Sequence, residues 1–176
     1  MIPLDTVFIG LVILFAIIGA LRGWSKELLV TFSVILARFI EYVSLVYVPV
    51  LSVALQTMQE TDPRTWFYVQ VLLFGVVVAF GYATTVISHA LGAKARKEKL
   101  EDTLLGLFLG ALNGYMVIGM IWGFLNDLGY NIWGITGPQT EMAERLIGFL
   151  PNTWLEGPML FVGVALSFAF VLIAFV

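Results

Sequence analysis

The sequence predicts an all-α, polytopic membrane protein: a four-helix bundle followed by an added fifth transmembrane helix. Two observations carry this. Apolar residues make up 60% of the 176-residue chain and charged residues 12%, against roughly 45–50% and 25% in a soluble domain. The apolar residues also gather into five runs, each long enough for a helix to cross about 30 Å of hydrocarbon. Lipid, not a soluble core, is the solvent for most of this surface.

Leu4–Leu21 is the first span. Pro3 suits an early helical position, and Asp5 sits where a carboxylate favours the positive end of the helix dipole. Arg22–Glu27 reads as a turn. Leu28–Leu55 is the second span; roughly 28 residues would make a straight helix of about 42 Å, more than the hydrocarbon needs. It is therefore either long and tilted or bent near Pro49. Gln56–Arg64 reads as a polar loop with Asp62-Pro63 as its turn. Trp66–Gly92 is the third span, Lys94–Asp102 a charged connector, and Thr103–Leu125 a glycine-rich fourth span. Pro158–Val176 is the fifth, without a charge.

The division this implies is a four-helix membrane region over 1–125, an external loop over 126–157 and a C-terminal transmembrane helix over 158–176. Within the loop, Thr136-Gly-Pro-Gln139 reads as a helix start and Pro151 as a stop. Met142, Ala143, Leu146, Ile147 and Leu150 share one face between them. That face lies either in the membrane interface or against the end of the bundle.

Cation placement sets the expected orientation. Arg22, Lys26, Lys94, Arg96, Lys97 and Lys99 fall on one side if five spans alternate, and the cationic side is cytoplasmic. The N-terminus and the long loop are then outside and the C-terminus inside. No cleavable leader is expected, since Met1–Asp5 has no basic stretch and the first run ends at Arg22.

Several function classes drop out. The chain has no cysteine and one histidine, His89, which removes disulfides, thiol nucleophiles and multi-histidine metal sites. A net charge of −3, scattered along the chain, does not suit nucleic acid. There is no P-loop, no Gly-rich dinucleotide turn, no HExxH and no Ser/His/Asp arrangement, so no enzyme is expected.

Three constellations remain. Arg38 and Glu41 lie three apart inside the second run and share a helix face. Arg38 falls roughly 18 Å beyond Lys26, near mid-membrane, where a charge usually faces a bundle interior, a partner or a water cavity. The pair is either an ion or proton path, a docking site, or an internal pin for helix packing. Gly106, Gly110 and Gly114, four apart, make a flat stripe that admits another backbone, with Asn113 beside it. The neighbour belongs either to this chain or to another. His89, one turn after Thr85, has a spacing seen at haem or pigment ligands, and otherwise reads as an interfacial histidine. Any cofactor is thus left unknown, with a haem or pigment at His89 as the one option.

Two segments resemble the colicin V production (CvpA) family of bacterial inner-membrane proteins. One is Asp5 followed by Arg22-Gly23-Trp24-Ser25-Lys26-Glu27, similar to the family's Asp, then Arg-Gly-aromatic-x-basic-Glu. The other is Asp102-Thr103-Leu104-Leu105-Gly106, continuing to Gly110, Asn113 and Gly114. It is similar to the family's Asp-Arg-x-x-Gly-x-x-x-Gly-x-x-basic-Gly. The resemblance covers about residues 4–125. It implies a small helical membrane protein connected with colicin V production, envelope functions or the anchoring of a periplasmic protease, with no biochemical activity assigned to the membrane part. Thr103 and Asn113 replace basic residues, and the fifth span replaces a polar tail. The expectation is an accessory or scaffold subunit in the bilayer, in contact with other membrane subunits. A small transporter or export component using Arg38/Glu41, and a pigment- or haem-binding subunit using His89, are the alternatives.

Overall fold

The computed structural model describes residues 3–83 and 99–175. Every regular element among them is helical: α1 (Leu4–Arg22), α2 (Trp24–Val46), α3 (Pro49–Thr61), α4 (Pro63–Ala83), α5 (Lys99–Asp127), α6 (Glu141–Ile147), α7 (Pro151–Trp154) and α8 (Gly157–Phe175). Four of these, α1, α2, α4 and α5, are long and apolar enough to cross a membrane. A fifth crossing is obtained when α8 is taken with the segment before it, from which it bends by 62°. The chain is a multi-pass membrane protein.

The joint between α1 and α2 is one residue, not the six-residue turn that Arg22–Glu27 suggests. Gly23 has φ +86°, a left-handed conformation that favours glycine. It stops α1 and lets α2 begin at once at Trp24. The second run does not form one helix either. It breaks at Tyr47–Val48, and Val48 is extended at φ −108°, ψ 95°. Pro49 is the cause: it has no N–H to continue the ladder and pushes the residue before it out of the helical region. Pro49 then opens α3, where the missing donor costs nothing.

The expected loop Gln56–Arg64 is mostly helix as well. α3 runs on to Thr61, and only Asp62 separates it from α4. Asp62 caps α4: the Thr65 hydroxyl donates to it at 2.6 Å and the Thr65 amide at 3.2 Å. These donors, the hydroxyl first, hold the Asp62 carboxyl below its ordinary 3.8. Aspartate before a first-turn proline is a strong helix start, so α4 begins at Pro63 rather than Trp66.

α2 is the central element, touching α1, α3, α4, α5 and α8. Its buried Val30 and Val34 meet Phe67 and Phe74 of α4, Met120 and Phe124 of α5, and Leu160 of α8 in the main core. α1 packs chiefly along α5. The glycine stripe makes this possible. A Cβ on Gly110 would lie 2.8 Å from the Cα of Gly19, and one on Gly114 would lie 2.7 Å from the Cβ of Phe15. The neighbour of the stripe is therefore α1 of the same chain.

In the long loop the helix starts two residues after Gln139, at Glu141. Thr140 is its cap, accepting from the Ala143 amide at 3.0 Å. Pro151 is not a stop but the first residue of α7, for the same reason that Pro49 and Pro63 open helices. Ala143 and Leu150 are buried against Phe8 of α1 and Trp122 of α5, with Leu146 and Ile147 packed beside them. The apolar face caps the bundle; Met142, on its edge, stays exposed. Exposed Tyr47, Tyr68, Trp133 and Trp154 lie at this same loop end, as an interfacial aromatic belt would.

Candidate functional site

Among the described residues, the buried polar side chains of α2 gather with their partners at two places, one toward each end of that helix. The first lies where α1, α2 and α5 meet. Glu27, 1% exposed, is held from two directions. Arg22 Nη1 lies 3.0 Å from its Oε1. Asn113 Nδ2 donates at 2.8 Å to its Oε2 and at 2.8 Å to its backbone carbonyl. Thr31 donates to Asn113 Oδ1 at 2.7 Å. The amide of Asn113, fully buried, is thus satisfied on both sides. Arg22 also donates to the Tyr82 carbonyl at 3.3 Å, and its guanidinium sits 4.3 Å from the centre of the Tyr82 ring. A buried carboxylate is costly unless paired and hydrogen-bonded; here both conditions are met.

Asp102 completes this end. The Trp24 amide, the first of α2, donates to Asp102 Oδ1 at 3.1 Å. A Cβ on Gly23 would stand 2.8 Å from that carboxylate oxygen. Glycine is therefore required at 23 twice, for its backbone conformation and for the closeness of Asp102.

The second place is at the loop end. Arg38 Nη1 pairs with Glu41 Oε2 at 2.9 Å and Arg38 Nη2 with Glu156 Oε1 at 3.2 Å. Gln70 of α4 donates to Glu41 Oε1 at 2.6 Å. Glu156 immediately precedes α8, so the Arg38 side chain ties α2 to the joint into the last helix. A cavity of about 370 Å³ opens beside it, lined by Arg38, Glu41, Gln59, Gln70 and Asp127 together with Trp66, Phe67 and Phe124.

The sequence profile of the Colicin V production protein family matches residues 4–144. The chain belongs to that family. No curated protein and no solved structure matches it. The match runs from the first residue of α1 into α6, beyond the 4–125 that the two segments cover.

In this family member, Arg22, Gly23, Glu27, Asp102, Gly106, Gly110, Asn113 and Gly114 all fall at the α1–α2–α5 junction. Lys26 does not join them; it points away and is exposed. Asn113, at a position where the motif often has a basic residue, donates to Glu27 as a cation would, while Arg22 supplies the charge. Thr103 is exposed. Asp5 is at the other end of α1, buried, and accepts from the Thr140 hydroxyl at 2.9 Å. It ties the start of α1 to the cap of α6. His89 lies outside the described residues. Among those described, no three of His, Cys, Asp and Glu are placed to hold a metal ion.

Thr31 and Gln70 have no place in the sequence reading, and Asp127 and Glu156 enter it only as two of the carboxylates that would make the outer face acidic. Gln70 could have been found, as the lone amide in the apolar run Trp66–Ala83. Glu156 and Asp127 come from the two ends of the long loop, and nothing in their spacing points to Arg38.

Removing the Asn113 amide should show what the junction is worth. Asn113→Ala leaves the Glu27 carboxylate and Thr31 short of partners in a buried place, at a cost of about 1–3 kcal/mol. Lys26→Ala should stay within about 0.5 kcal/mol. Unfolding of the purified protein in detergent measures both, and equal shifts would mean that the junction is not closed.

Proposed function

We propose that this member of the Colicin V production protein family is an accessory or scaffold subunit of the bacterial inner membrane. It is held in a larger membrane assembly by helix–helix contacts made through α8. The observation that carries this is the surface of α8. Its first turns enter the core through Leu160. Beyond them it packs chiefly on α2, with Phe170 edge-on to Phe32 and Gly163 against Ile35. Its other faces leave Leu166, Phe168, Leu172 and Ile173 exposed. The glycine stripe of α5 is spent on α1, so α8 is the long helix with the most surface to offer. Lipid tails match that surface in polarity, so any association rests on packing rather than on burial from water.

The orientation belongs to the same proposal: N-terminus and long loop outside, C-terminus cytoplasmic. Supporting it, Gly23 lies against Asp102, so the cationic α1–α2 joint and the start of α5 share one end of the bundle. In intact cells a membrane-impermeant maleimide should label Glu144→Cys and leave Lys26→Cys unlabelled until the membrane is opened. The reverse pattern would overturn the orientation.

The contact helix has its own test. Leu166→Ala, Phe168→Ala and Leu172→Ala, combined, shorten exposed side chains and remove little of the core. The full-length protein extracted in a mild detergent should carry partner subunits in fixed ratio, and the triple variant should lose them at unchanged yield. A wild-type chain that emerges alone would end the scaffold reading.

A second reading has the loop-end cavity in its favour. A polar chamber beside Arg38 and Glu41 suits a small transport or export component that takes a solute from the loop side.

A further inference from the structure

We propose that the loop-end cavity is a binding site for a small organic cation carrying an ammonium or guanidinium group. The inference rests on the second reading above and names the class of solute.

Three features of the chamber converge. The first is charge. Arg38 is the only cation among the described residues that line it, and it is already shared between Glu41 and Glu156. Asp127 also lines the chamber, and its carboxylate has no ion-pair or hydrogen-bond partner among the described residues. Three carboxylates thus face one guanidinium, and the excess is negative.

The second feature is size. About 370 Å³ is roughly ten times the volume of one water molecule in the liquid. A bare metal ion would not fill it, and no three ligand-type side chains among the described residues converge on one. The third is the wall. Trp66, Phe67 and Phe124 also line the chamber, and aromatic rings together with a carboxylate are the usual surroundings of a bound alkylammonium. The Gln59 amide, from α3, adds an acceptor for its N–H groups. An anion is disfavoured by the same count, because the carboxylates around the chamber outnumber its guanidinium, even though Arg38 Nε is left without a partner.

The break at Pro49 explains why the chamber exists. A straight second helix would carry residues 49–61 away from the bundle. The break instead lets α3 lie against α2 and α4, which brings Gln59 to the chamber's edge.

The test uses the full-length protein in detergent, with agmatine as probe and sodium chloride of equal ionic strength as the comparison. Binding is read by thermal stabilisation and by the fluorescence of Trp66, compared with a Trp66→Phe variant. Agmatine should stabilise the protein saturably, sodium should not, and the fluorescence change should vanish in Trp66→Phe. Asp127→Asn should weaken binding at least about tenfold, since it removes the free charge without touching the Arg38 pairs. Glu60→Gln, an equal loss of charge on exposed α3 surface, should leave it unchanged. Absence of a saturable effect, an equal effect of sodium, or equal weakening by the two variants would overturn the proposal. Equilibrium binding does not require passage across the membrane. Saturable binding without flux of labelled agmatine in proteoliposomes would sink the transport reading and leave the site standing.

Discussion

The rest of the bundle depends on the contact between Gly19 and the pair Gly106/Gly110. Any side chain at these positions would meet backbone of the facing helix, so α1 and α5 approach as closely as two helices can. In a membrane this is where association gains most, because lipid supplies no hydrophobic force between helices and close packing must replace it. The contact also sets the register. With Gly19 on Gly106, Gly23 arrives beside Asp102 and the first amide of α2 finds its acceptor. One turn beyond Gly110, Asn113 arrives beside Glu27. Small residues and polar residues thus act in sequence: the first bring the backbones together, the second fix how far they slide.

α2 links the two polar places. Residues 27, 31, 34, 38 and 41 recur at the alternating steps of three and four that keep one helix face turned inward. Four of the five are polar or charged. At one end of that face Glu27 is fully enclosed and each of its partners has a partner. At the other, Glu41 is equally buried but borders an open chamber. The first arrangement consumes its charges; the second leaves one carboxylate, Asp127, over. The contrast separates a closed lock from an open chamber, and it comes from what each end has beside it: the backbone of α1 and α5 at one, and the short α3 at the other.

The apolar spans were legible because hydrocarbon thickness imposes a length and composition on any helix that crosses it. So was the α1–α2–α5 junction as a motif, since Asp102, Gly106 and Gly110 lie on consecutive turns. Boundaries were less legible where one residue decides them. Gly23 and Asp62 each replace a whole predicted loop, because a left-handed glycine and an Asp-Pro cap let helices follow with a single residue between them. The contents of the chamber were least legible. Glu156 lies 118 residues from Arg38 in sequence, and such a pairing follows from the bend into α8, not from any local pattern. The Arg38–Glu41 spacing was visible, and the two side chains do pair, at 2.9 Å.

The pairing of α1 with α5 inside one chain is the claim on which the rest stands, and the absence of native cysteine makes it directly measurable. Phe15 and Gly114 face each other across that contact, with a Cβ on Gly114 falling 2.7 Å from the Cβ of Phe15. Disulfide bridges need about 3.5–4.5 Å between these atoms, which a shift of about an ångström supplies. The double variant Phe15→Cys, Gly114→Cys, oxidised in the membrane and separated by mass, should give a bridge within the chain, running as a monomer. A bridge that forms only between chains, at twice the mass, or no bridge at all, would contradict the account.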